Sequence, residues 1–229
     1  VIAIRFLIPH AAHRLTRAVL PALLLVGALQ PAVGDTFTFS GDRTQVVLAE
    51  GHERTLLSGS ARVESEDVSI FADEIELYGE DFRFAECTGN VRAHTLSNDV
   101  RVTAEHFYYD RETDTSRAQG DVAVEDPEND LLVKAGYLES REDGEILQAQ
   151  ISVRIFREDL TARAQFLRYR RNDDTLELSG FPVVYWKGDE YRATRIVLNL
   201  ETEEIELQGQ VEGTIVIEEK AEESTPDAR

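Results

Sequence analysis

Gly120-Asp121-Val122-Ala123-Val124 is one of a set. Gly59-Ser60-Ala61-Arg62-Val63, Gly89-Asn90-Val91-Arg92, Gly180-Phe181-Pro182-Val183-Val184 and Gly209-Gln210-Val211-Glu212 share its form. A degenerate copy, Ala149-Gln150-Ile151-Ser152-Val153, fills the one gap, so the anchors recur every 29 to 31 residues. A fixed period of this length is the mark of a repeat architecture. Around each anchor, apolar or small residues fall two and four positions before and after it, while odd offsets are mostly polar. Leu176, Leu178, Val184 and Trp186 do this around Gly180, and Ile205, Leu207 and Val211 around Gly209. Leu147, Ile151, Val153 and Ile155 do it around Ala149. A period of two is a strand with one buried face. Glycine inside such a strand signals a bulge, a bend or a close backbone approach.

A second element precedes each anchor by about 16 residues and is marked by Ala72, Ala104, Ala135, Ala164 or Ala193. Apolar residues lead in on alanine's own phase, as Val68 and Ile70 do before Ala72. The next apolar residue then lies three positions on: Ile75, Phe107, Leu138, Leu167 and Ile196. Such a phase flip means either that the buried face changes sides or that a bulge takes up one residue. We read a strand that turns a corner between facing sheets. Charged runs such as Gly79-Glu80-Asp81, Asp110 to Asp114 and Arg170 to Asp174 join the two elements as hairpin turns. No stretch after Asp35 sustains a 3.6-residue period, so no substantial helix is expected. One hairpin cannot bury its apolar face alone, so successive hairpins stack into two antiparallel sheets with apolar faces opposed. About a dozen strands are expected.

The ends differ from this pattern. Residues 1–34 carry Arg5, Arg14 and Arg17 and no acid, then a 12-residue apolar run from Ala18 to Leu29, then Ala32 and Gly34 before Asp35. A basic start, a short apolar middle and a small-x-small end read as a secretory signal peptide. An uncleaved anchor helix is the alternative, if the run extends through its prolines towards membrane-spanning length. Residues 218–229 are acidic, lack large apolar side chains and read as a disordered tail.

With 24 Lys and Arg against 44 Asp and Glu, the chain carries −20, and the part after the leader about −23. That balance excludes a nucleic-acid partner, which needs clustered cations. Cys87 is the sole cysteine. It forms no internal disulfide and, by its phase, is a small buried apolar residue. His52, His94 and His106 lie in different repeats, and no zinc or nucleophile spacing appears. Acidic pairs such as Asp173-Asp174 sit in charged turns. No catalytic residue, metal or cofactor is therefore expected, and the chain does not read as an enzyme. Trp186 points inward by its phase and Tyr185 outward. The candidate lining of an apolar channel is Val63, Val91, Val122, Val124, Ile151, Val153, Ile155, Leu176, Leu178, Val184, Trp186, Ile205, Leu207 and Val211.

Several of these stretches, in their order and spacing, resemble the OstA-like family, in particular its lipopolysaccharide-transport bridges. They are Phe37 to Asp42, Thr55 to Gly59, Tyr109-Asp110, the Gly89 and Gly120 anchors, Leu176 to Val184 and Lys187 to Ala193. The resemblance runs from about Asp35 to Ile217. It implies an open β-jellyroll over residues 35–217, periplasmic, with a trough that carries acyl chains of lipopolysaccharide or a similar glycolipid between membranes. It also implies an LptC-like inner-membrane partner, an LptD-like outer-membrane partner and head-to-tail self-association through edge strands. An LptC-like anchored adaptor of the same fold and a purely structural β-repeat protein are the other two readings.

Overall fold

Alternation of buried and exposed side chains makes strands of nearly the whole chain. In the computed structural model, described for residues 36–49, 51–97, 99–142 and 144–216, the only helical pieces are the single 3₁₀ turns at Glu80–Phe82 and Arg171–Asp173. Short strands β1 (Thr38–Ser40) and β2 (Arg43–Val47) come first. Long strands follow: β3 (Arg54–Glu64), β4 (Val68–Tyr78), β5 (Phe84–Thr95), β6 (Val100–Asp110), β7 (Thr115–Asp126), β8 (Leu131–Arg141), β9 (Ile146–Arg157) and β10 (Leu160–Arg170). The rest are β11 (Thr175–Ser179), β12 (Val183–Trp186), β13 (Asp189–Arg192), β14 (Arg195–Asn199), β15 (Glu204–Gln208) and β16 (Glu212–Thr214). The count is 16 among the described residues, above the dozen expected, because the last three long strands are each interrupted midway. The leader at 1–34 and the tail at 218–229 lie outside the described residues. Among those described, no helix is long and apolar enough to cross a membrane.

All the strands belong to one antiparallel sheet, with β3 to β11 side by side in chain order. That sheet is creased lengthwise into two facing halves, an open β-jellyroll. The crease is a row of bulges. Thr88 pairs with His106 and Val91 with Ala104, so Gly89 and Asn90 together oppose the single residue Glu105. Two residues against one bend the bulged strand and raise its twist. The same shift recurs between Ser58 and Ala61, and between Gln119 and Val122. Each long strand therefore runs through both halves.

The phase flip after each alanine follows from this geometry. In β4, Ala72 and Ile75 are buried while Asp73 and Glu74 between them are both exposed. β6 and β10 repeat the pattern, with Glu105 and His106, then Gln165 and Phe166, facing out. At the bend two consecutive side chains point to the convex side, and the strand re-enters the core one residue late.

Glycine is required at the crease for two reasons. Gly120 has φ +80°, a region L side chains rarely adopt, and a Cβ there would meet Glu105 at 2.4 to 2.8 Å. In the fourth crease the glycine has changed strand. Ile151 (φ 70°) and Ser152 (φ 56°) take the left-handed pair, and Gly136 on β8 lies opposite. A Cβ on Gly136 would come within 2.9 Å of Ile151 Cγ2. The degenerate repeat is thus centred on Ile151, two residues later than the Ala149 anchor read from the sequence.

The core is one continuous cluster between the two halves. Alanine recurs beside the crease, at Ala72, Ala104, Ala135, Ala164 and Ala193, where the halves converge and space is least. Larger side chains take over further from it, including Leu57, Ile75, Ile155 and Leu178, all fully buried.

Candidate functional site: the trough between the half-sheets

Opposite the crease, the half-sheets end in two rows of hairpin turns that form the lips of a trough. A cavity of about 370 Å³ opens there, within the range of small-molecule sites. Its floor is made by Val102, Phe107, Val124, Val133, Leu138 and Leu147, drawn from both halves. Its rim is polar, with Ser97, Asp114, Ser116 and Ser140 near the turns. Inward strand positions supply the floor, and strand ends supply the rim, because the alternation gives way to turn chemistry there. The arrangement can hold an apolar chain below and leave a polar group in water above.

Contacts between the lips bound the opening. At the N-terminal side, Phe37, just before β1, packs on Phe82 in the turn after β4, with ring centroids 5.9 Å apart. At the C-terminal side, Arg171 crosses from the turn after β10 to the end of β7, 3.1 Å from Asp126 and 2.7 Å from Glu128. Beyond it, Arg157 donates to the Leu200 carbonyl at 3.3 Å, and Lys187 pairs with Glu203. Behind these links Leu176, Leu178, Ile196 and Leu198 are fully buried. The Trp186 indole N–H donates to Asp159 at 3.3 Å. The last third of the stack is therefore a packed sandwich rather than a trough.

The sequence-derived lining divides accordingly. Val91, Val122, Val124, Val153, Ile155, Leu176, Leu178, Val184 and Trp186 are buried, and Val63, Ile205 and Leu207 pack against the core while partly exposed. Of these, Val124 lies on the cavity wall. Leu176, Leu178, Val184 and Trp186 belong to the packed end rather than to the trough, and two further positions leave the inner face. Ile151 is 60% exposed on the convex side, because the left-handed backbone at the crease swings an inward-phase side chain out. Val211 is 53% exposed, because it follows β15, after which no further described hairpin stacks. Tyr185 is exposed as its phase indicates. Val102, Phe107, Leu138 and Leu147 obey the same alternation on their strands, so the signal for them was present. Tyr169 and Arg171 also line the cavity. Their place at the mouth depends on stacking, and no local motif marks them.

Charged groups are held mainly along the lips. Arg83 grips Asp110 with two hydrogen bonds of 2.8 and 2.7 Å, which hold that carboxyl well below the usual carboxylate range. Burial pushes the Tyr169 hydroxyl up, with Asp126 and Asp174 adding to the shift. Burial likewise pushes the Cys87 thiol up to about 12. His94 Nε2 sits 2.7 Å from Asp99, while His52 and His106 are exposed on other repeats. Among the described residues, no three His, Cys, Asp or Glu side chains gather as a metal would require.

No protein-family model and no curated protein matches the chain. Among solved structures it is similar to LptH from Pseudomonas aeruginosa, the LptA-homologous periplasmic component of the lipopolysaccharide transport device. The match has 13% identity and a TM-score of 0.49, and covers 53% of this chain and 97% of that one.

Proposed function

We propose that this protein is a periplasmic lipid-binding bridge, whose trough holds the acyl chains of lipopolysaccharide or a similar glycolipid during passage between membranes. The observation that carries this reading is the cavity itself, apolar on its floor and polar at its lips. Acyl chains entering it bury apolar surface at about 25 cal/mol per Å² without needing any particular hydrogen bond. A head group stays in solvent at the rim, where the strongly acidic surface keeps an anionic one from settling. The sequence resemblance to the OstA-like bridges points to the same cargo. The role is carriage rather than catalysis.

Partners fit the edges of the sheet. Among the described residues, β1 and β2 at one end and β15 and β16 at the other are the edge strands of the sheet. Such edges add to a neighbouring sheet by β-augmentation. Head-to-tail copies, an LptC-like protein at one membrane and an LptD-like protein at the other would dock on those edges in that way. The test is site-specific photo-crosslinking with lipopolysaccharide. Crosslinkers at Val124 and Leu138 should label the glycolipid, and crosslinkers at the outward Glu125 and Lys134 should not. Labelling at the outward positions alone would refute carriage in the trough.

A further inference from the structure

Tyr169 is a polar group in an apolar place. It is the second-last residue of β10, 3% exposed, and lines the trough beside Leu147, its cross-strand partner on β9. Its hydroxyl has no hydrogen-bond partner among the described residues. The nearby carboxylate of Asp126 is already occupied. One oxygen accepts from Arg171 Nη2 at 3.2 Å and from the Asn129 backbone N–H at 3.4 Å. The other accepts from Arg171 Nε at 3.1 Å and from Asn129 Nδ2 at 2.9 Å. A buried donor without an acceptor is unfavourable, and phenylalanine would fill the same space without that penalty. The hydroxyl lies at the level where the apolar floor gives way to the charged lip.

We propose that Tyr169 is the polar anchor of the trough, donating its hydroxyl hydrogen to the carbonyl of an acyl ester or amide whose chain lies on the floor. This rests on the lipid-binding reading and adds the class of linkage recognised. An amphiphile presents its carbonyl where chain meets head group, the same boundary that Tyr169 occupies. A neutral carbonyl fits better than a free carboxylate. Arg171 is already neutralised by Asp126 and Glu128, and Asp174 adds a further negative charge near the hydroxyl. Arg171 lines the cavity beside Tyr169 and keeps its bonds to Asp126 and Glu128 while the ligand is bound.

The test uses the full chain and two fluorescent probes of equal length, a pyrene-labelled dodecanoic acid methyl ester and pyrene-labelled dodecane. The wild-type protein should bind the ester about tenfold more tightly, the upper range for one net hydrogen bond. Tyr169→Phe should abolish that preference, leave alkane affinity unchanged and leave the unfolding temperature equal or higher. With a ¹³C-labelled carbonyl, the infrared band of the bound ester should shift to lower frequency in the wild type and not in the variant. Equal affinity for both probes in the wild type, or an ester preference that survives in Tyr169→Phe, overturns the Tyr169 assignment and leaves the trough standing. Failure of both probes to bind the wild type overturns both readings.

Discussion

Replacing Gly120 by alanine tests the crease directly. The left-handed backbone there (φ +80°) costs an L residue about 1–2 kcal/mol. The new Cβ would also sit 2.8 Å from Glu105 Cβ, on the neighbouring strand. Such overpacking costs about 1–3 kcal/mol. Gly120→Ala should therefore destabilise the protein by about 2–5 kcal/mol. The chain itself shows the remedy, because at the fourth crease Ile151 is accommodated by Gly136 across the strand pair. Adding Glu105→Gly should remove the steric part while leaving the backbone part. The two substitutions should then couple favourably by about 1–3 kcal/mol. Urea unfolding measures this as the displacement of the midpoint at constant slope. Strict additivity would refute the idea that the overlying side chain, and not only the backbone angle, demands glycine.

Three further outcomes are expected. Leu138→Trp places an indole in the trough floor and should weaken an acyl probe about 5- to 150-fold, for an overpacking cost of about 1–3 kcal/mol; titration with the pyrene ester checks it, and unchanged affinity would place the ligand elsewhere. Asp110 titrates below its unfolded value of about 3.9, so its pairing with Arg83 stabilises the fold above about pH 4 and is lost as the pH falls further. Asp110→Asn should accordingly melt below wild type at pH 7, with the gap closing as thermal scans move towards pH 2. Cys87 is fully buried with its thiol raised to about 12, so at pH 8 it should resist a disulfide-exchange reagent in the native protein and react promptly in urea.

Much of the architecture was legible because strand alternation and repeat period are local properties. The three-residue step from Ala104 to Phe107 marks a bend in the sequence itself, since a bulge must shift the side-chain phase wherever it occurs. Ile151 marks the limit of that logic. Alternation alone assigns it inward, and only the left-handed backbone, made tolerable by Gly136 on another strand, turns it outward. Val211 departs from its phase for a related reason: burial of an inward position needs a neighbouring strand, and none stacks beyond β15 among the described residues.

Strands, turns, the recurring crease and the apolar inner face follow from residue order alone, because each depends on residues within a few positions of one another. The tertiary structure decided where the two halves stand apart and where they close. Arg171 meets Asp126 across 45 residues, and Tyr169 is left without an acceptor among the described residues, only because stacked hairpins bring their lips together. Whether an apolar face becomes a packed seam or an open channel depends on the distance between sheets, which contacts far apart in the chain impose.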